Sequence, residues 1–209
     1  MSTNSSQKED CYYSIERPCE GIFKELGSRF LAFAYPVDSE SEARERIAAL
    51  KKEYFDARHH CYAWRIGRLG ENWRANDDGE PSSTGGKPIL GQLLSNELSD
   101  IVVIVVRYFG GIKLGVPGLI KAYRTATADA ISHATVISKT AVEQFEIVFD
   151  YMDMNRAMKV IKDMNLKTSW QQCDSTCRMT VSVPLSAIPK FSEAFDWAEV
   201  KKICQSEGI

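Results

Sequence analysis

The sequence predicts an α+β protein of two domains, residues 12–138 and 139–209, behind a disordered N-terminus over residues 1–11. Three observations carry this. Strand-like and helix-like patterns alternate as far as about His133. The most apolar run, Ile101–Val106, spans six residues and lies between two helical segments. From Val142 a second series begins, in the order strand, helix, strand, strand, helix, strand.

The elements of the first domain follow from local patterns. Glu20–Leu26 and Ser28–Val37 read as two strands turning at Gly27. Ser39 with Glu42 forms a capping box for a helix to about Tyr54, whose Ala43, Ile47 and Leu50 recur at helical spacing. Arg58–Gly67 alternates and is rich in aromatics, which gives a third strand. Arg68–Thr84 is long and polar and reads as a functional loop. Pro88 suits the first turn of a helix to about Leu98. The buried strand Ile101–Tyr108 and a helix from Pro117 to His133 complete a mixed sheet with helices packed on one face.

In the second domain the strands are Val142–Phe149, Leu166–Cys173, Cys177–Leu185 and a short one near Val200–Cys204. Helices at Met152–Met164 and Ser186–Trp197 separate them. This is the βαββαβ layout of a ferredoxin-like domain.

Composition narrows the function classes. Residues 1–138 carry 17 basic and 18 acidic side chains, and residues 139–209 carry 9 and 10. Neither part is basic overall, so tight non-specific nucleic-acid binding is not advertised, while a local basic patch is allowed. An apolar run of six residues is far short of the ~20 a membrane helix needs. Residues 1–10 are polar and lack a signal-peptide core. The six cysteines, Cys11, Cys19, Cys61, Cys173, Cys177 and Cys204, include no Cys-x-x-Cys pair and read as reduced thiols of a cytoplasmic protein.

The chemistry concentrates in two glycine-rich loops. Asn76–Pro88 places Asp77, Asp78 and Glu80 within four positions, then Ser83, Thr84, Gly85, Gly86 and Lys87 before a helix. Three clustered carboxylates are a candidate magnesium site, because hard cations take oxygen ligands, or else a solvated turn. Thr84, Gly85, Gly86 and Lys87 are a candidate phosphate cradle at a helix start, with Thr84 equally suited to capping that helix. Arg107–Gly115 supplies Gly110, Gly111 and Lys113, with Lys121 six residues further on. Lys113 reads as an exposed phosphate contact. Arg107 reads as an internal partner of Asp77 or Asp78, tying the loops together. Tyr108 and Phe109 read first as core and second as base-stacking groups. His59 and His60 point to opposite faces of one strand, so only one faces the loops as a candidate proton carrier. Cys61 shares a face with His59, without an acidic orienter in reach of the sequence.

Three segments resemble the YigZ/IMPACT family of small cytoplasmic proteins. They are Ser28-Arg29-Phe30; His59 to Gly67 with the Asp77–Pro88 loop; and Arg107 to Gly115 running on into Leu119, Ala122 and Tyr123. The resemblance covers residues 12–135; residues beyond match by layout. It implies that the first domain has the fold of the second domain of a small-subunit ribosomal protein, also found in elongation factor G. It also implies that the second domain resembles that factor's last, ferredoxin-like domain. Eukaryotic relatives modulate a kinase pathway that controls translation initiation, partly through an additional N-terminal domain, and that role is not carried over. The chain departs from the family at Ser83-Thr84-Gly85-Gly86, usually Gly-Thr-Ala-Gly, and at Val116-Pro117-Gly118, commonly Thr-Gly-Gly.

The first reading is a non-catalytic module linked to translation, contacting RNA, the ribosome or a translation-associated protein. The second is a metal-assisted enzyme or binder of a small phosphorylated or nucleotide ligand, with His59, His60, Asp78 and Glu80 as candidate catalytic groups and Mg as cofactor. A third is a protein adaptor with Trp170 as anchor.

Overall fold

The computed structural model describes residues 10–203, without the side chains of Trp170 and Gln171. The N-terminal stretch 1–9, the anchor role of Trp170 and the strand end at Cys204 lie outside them. The chain divides into two compact units, residues 12–139 and residues 140–203 with 10–11.

In the first unit, β2 (Cys19–Glu25), β3 (Ser28–Pro36), β4 (His59–Ile66), β5 (Asn72–Asn76) and β6 (Ile101–Tyr108) form a five-stranded sheet in the order β2-β3-β6-β4-β5. Every pairing is antiparallel, so the sheet is not mixed. A separate two-stranded sheet joins β1 (Cys11–Ile15) to β7 (Val136–Thr140). Cys11 thus belongs to a strand, and the expected loop over 68–84 contains β5.

Three helices cover the sheet, and they lie on both faces. Ile89 and Leu93 of α2 (Gly86–Ser95) and Leu119, Ala122, Tyr123 and Ala126 of α3 (Gly115–Ser132) pack with Ile101, Val103 and Val105. Ala43, Ile47 and Leu50 of α1 (Glu40–Glu53) pack on the other face with Val102, Ile104 and Val106. The expectation of helices on one face is therefore wrong. Both faces of β6 are apolar, and leaving either in water would forfeit ~1.5–3 kcal/mol per side chain.

Turn chemistry fixes the register. Leu26 and Gly27 both adopt positive φ, 47° and 78°, between the paired Glu25 and Ser28. Such a two-residue turn matches the twist of the strands it joins. At α1, Ser39 Oγ accepts from the Glu42 amide at 3.2 Å. The Glu42 carboxylate reaches back to the Asp38 amide at 3.0 Å, one residue further than a standard capping box.

The second unit contains β8 (Val142–Asp150), α4 (Met154–Asp163), β9 (Lys167–Cys173), β10 (Thr176–Pro184), α5 (Ile188–Ala194) and β11 (Glu199–Lys202). Its antiparallel sheet has the order β11-β8-β10-β9. Phe145, Ile147, Met179, Val181, Phe191 and Phe195 fill its core. Cys19, Cys61, Cys173 and Cys177 are in no disulfide. Among the described residues, no helix is long and apolar enough to cross a membrane.

Candidate functional site

The site lies where β4 and β6 end under the two glycine loops. His59 pairs with Arg107 across the ladder, and alternation puts both on the face that carries α2 and α3. His60, paired with Val106, faces α1 instead. His59 therefore faces the cavity under the loops, while the His60 ring meets the first loop from the other face, its Nδ1 3.7 Å from Asp78 Oδ2.

The first loop folds around Asp77. Its carboxylate accepts from the amides of Ser83 at 2.7 Å, Gly85 at 2.9 Å and Gly86 at 2.8 Å. Free N–H groups at a helix start attract an anion, and here the chain supplies its own. The expected phosphate cradle at Gly85 and Gly86 is thus filled by Asp77. Nor does Thr84 cap the helix: Gly85 is the N-cap, and the Thr84 hydroxyl donates to the Pro81 carbonyl at 2.6 Å.

Asp78 and Glu80 turn elsewhere. Asp78 accepts from Lys51 Nζ at 2.7 Å and from the His60 amide at 2.8 Å. Burial pushes its carboxyl up, but Lys51 and the His60 amide outweigh that and hold it below the ordinary value. Glu80 points inward, accepting from Arg107 Nη1 at 2.6 Å and from the Tyr123 hydroxyl at 2.9 Å. Arg107 does have an internal partner, as expected, yet it is Glu80 and not Asp77 or Asp78. The 77–80 turn explains this: the Glu80 amide donates to the Asp77 carbonyl at 2.9 Å, which returns Glu80 over the sheet. Three carboxylates with three separate donor sets do not converge on a cation. Among the described residues no group of three or more His, Cys, Asp or Glu is placed to hold a metal ion.

Arg107 lies between the Phe30 and Phe109 rings, 5.5 and 5.6 Å from their centroids. His59 Nδ1 is 2.9 Å from the Asp78 carbonyl, a bond in which the ring nitrogen donates, and Nε2 lies 4.0 Å from Glu80. Cys61 is fully buried and donates to the Asp77 carbonyl at 2.9 Å. Burial pushes its thiol far above the ordinary value, which removes it as a nucleophile. Burial also lowers the His60 imidazole, so it is neutral near pH 7 and unsuited to carrying charge.

The second loop is held by the hairpin turn of β2 and β3. The Gly110 amide donates to Ser28 Oγ at 3.1 Å. A Cβ on Gly110 would overlap the backbone of Gly27 and Ser28, so only glycine fits this approach. Its N–H is therefore not free for a ligand. Lys121 leaves the loop altogether and pairs with Glu25 at 3.1 Å. Tyr108 is engaged through its hydroxyl, which donates to Asp56 at 2.7 Å. Phe109, expected in the core, is 49% exposed.

What remains open is a cavity of about 410 Å³. His59 and the Glu80–Arg107 pair line its inner part, and Phe109, Val116 and Leu119 give it apolar walls. Arg58 and Lys113 line it as well, both exposed and neither in an ion pair with a described residue. Lys113 is the exposed lysine of the second loop that lines this cavity. Arg58 was missed, and its signal was a lone cation next to His59 at the strand start. Lys87 is exposed on α2 and lies outside this cavity.

Fold and cavity define a two-unit α+β chain whose first unit offers a cationic, part-apolar cavity closed by a neutralised carboxylate. Residues 26–131 match the Impact N-terminal domain, and the chain belongs to the IMPACT family. The IMPACT family member YvyE of Bacillus subtilis is 38% identical over 67% of this chain and 64% of its own length. YigZ of Escherichia coli, also an IMPACT family member, is 31% identical over 79% of this chain and 82% of its own. A crystal structure titled only as that of a hypothetical protein superposes with a TM-score of 0.70 at 26% identity, covering 94% of this chain and 99% of that one.

Proposed function

We propose that this chain is a cytoplasmic, non-catalytic binding module linked to translation or its regulation, and that it contacts RNA through the cavity under Arg58, Phe109 and Lys113. One observation carries the reading. Arg58 and Lys113, without acidic partners among the described residues, line one cavity with the exposed Phe109 ring, and Glu80, which lines it too, is already neutralised by Arg107. Cations hold phosphate and an aromatic face stacks a base, the combination that binds single-stranded nucleic acid without an overall basic charge. The family resemblance supplies the link to translation. The βαββαβ order of the second unit and its β11-β8-β10-β9 sheet support the ferredoxin-like assignment, and the first unit's likeness to a ribosomal-protein domain rests on the resemblance. Fold analogy weighs less than the cavity does.

The second reading, a small phosphorylated ligand, is favoured by His59, whose ring lines the same cavity. It loses ground because Asp78 and Glu80 are committed to Lys51 and Arg107. Ribosome co-sedimentation from extract at low and moderate salt separates the two. Wild type is run beside Arg58→Ala/Lys113→Ala, whose exposed positions leave the fold intact. Salt-sensitive association that the variant loses supports the module. Absence of association at both salts, with a nucleotide shifting the melting temperature of wild type alone, supports the small ligand.

A further inference from the structure

A second cavity, of about 430 Å³, opens between α2 and α3. Lys87 and Arg124 line it with Ser83, Gln92 and Ser95, and among the described residues no carboxylate does. Both cations are exposed, and neither makes an ion pair with a described residue. Two like charges facing one groove repel each other, and an anion between them removes that cost.

Gly91 is an independent sign. It lies in the middle of α2 and lines the same groove. A Cβ built there meets nothing within 4 Å. Glycine weakens a helix interior, and here neither packing nor backbone conformation requires it. A bare backbone facing an empty, cationic groove suits close approach by a ligand.

The two cavities lie along one helix. Val116, Ile120 and Arg124 fall at four-residue intervals on α3, hence on one stripe. Val116 lines the first cavity, and Ile120 and Arg124 line the second. Eight residues of helix rise about 12 Å. The first loop supplies both cavities as well, through Pro81 and Ser83.

We infer that the α2–α3 groove is a second phosphate subsite, so that the ligand of this unit is a single strand of RNA lying along α3 from Arg58 and Lys113 to Lys87 and Arg124. The inference rests on the RNA reading above and extends it. A mononucleotide fills one cavity only; a strand of several nucleotides engages both.

The test measures binding of labelled uridine oligomers of three and twelve nucleotides to the full chain by fluorescence anisotropy across a salt series. Proteins compared are wild type, Lys87→Ala/Arg124→Ala, Gly91→Leu and Arg58→Ala/Lys113→Ala. The expected result is a loss of tenfold or more for the twelve-mer in Lys87→Ala/Arg124→Ala, with the three-mer unchanged. Losing two phosphate contacts also flattens the slope of log K against log salt by about 1.4. Gly91→Leu weakens the twelve-mer in the same way while its melting temperature does not fall, which separates a filled groove from a damaged helix. Twelve-mer affinity and salt slope equal to wild type in both groove variants overturn the second subsite and leave the first standing. Failure of wild type to bind either oligomer overturns both readings together.

Discussion

Arg107 Nη1 lies 2.6 Å from Glu80 Oε1, and both side chains are less than a tenth exposed. The pair joins the end of β6 to a loop 27 residues earlier in the chain and closes the inner end of the cavity. A charge in this position is tolerated only while its partner is present. Arg107→Ala is expected to lower unfolding stability by about 3–5 kcal/mol, because it strands a buried carboxylate. Arg107→Met/Glu80→Gln replaces both charges and is expected to cost less than Arg107→Ala alone. Urea denaturation of the variants checks the order. A ribosome-binding defect in Arg107→Ala would accordingly report lost fold, and for this reason Arg58 and Lys113 carry the functional test.

Asp77 fills the helix start that a phosphate would otherwise take. Removing its side chain leaves three amide donors without their acceptor. Asp77→Ala is expected to cost about 1–3 kcal/mol. The variant should also gain what wild type lacks, an open anion site at α2. Thermal melting in phosphate against chloride at matched ionic strength should raise the melting temperature of Asp77→Ala by more than that of wild type, whose cationic cavities are unchanged in the variant. Equal shifts in both would show that removing Asp77 opens no further anion site at the start of α2.

Much of this was legible in the sequence, and the failures have physical causes. The strand–helix order followed from periodicity, and Ile101–Val106 stood out as the central strand. Its apolar character on both faces also contained the signal for helices on both sides, since Val102, Ile104 and Val106 need cover as much as Ile101, Val103 and Val105 do. The edge strand β5 escaped because Asn72, Trp73 and Arg74 are all exposed and show no apolar alternation. Which of Asp77, Asp78 and Glu80 would reach Arg107 depended on turn geometry that residue spacing does not encode. Phe109 sits beside the buried Arg107, yet the loop's approach to Gly27 leaves its ring half in water.

Ser83 has φ of 65°, a left-handed conformation that favours glycine. A non-glycine residue there costs roughly 1–2 kcal/mol, reduced by the extra freedom that glycine brings to the unfolded chain. Ser83→Gly is expected to raise stability by about 0.5–1 kcal/mol. Gly110→Ala is expected to lower it by about 3 kcal/mol or more, since the added methyl would collide with backbone that has no free rotamer to yield. Chemical denaturation of the two variants tests the pair, and a stabilising Gly110→Ala would mean that the hairpin and the second loop do not meet.

Stability should fall with acid in two stages, and each stage has an owner. Burial holds the His60 imidazole below its ordinary value of 6.5, so below about that pH the unfolded chain takes up a proton that the folded chain refuses. The slope per proton reaches about 1.4 kcal/mol per pH unit, and its sign makes stability decline as pH drops below 6.5. Asp78 is held below its ordinary 3.8 by Lys51 and the His60 amide, so its contribution is present above 3.8 and is lost as pH falls through its folded value. Both groups lie on one ladder of contacts, because His60 Nδ1 is 3.7 Å from Asp78 Oδ2. Replacing one therefore shifts the other in a known direction. Asp78→Asn removes the charge that favours protonated His60, which lowers that imidazole further and strengthens the first stage while abolishing the second. His60→Gln abolishes the first stage and keeps the second. Urea midpoints between pH 3 and pH 8 distinguish these outcomes. A decline between pH 6.5 and pH 5 that survives His60→Gln undiminished would assign the first stage to another group.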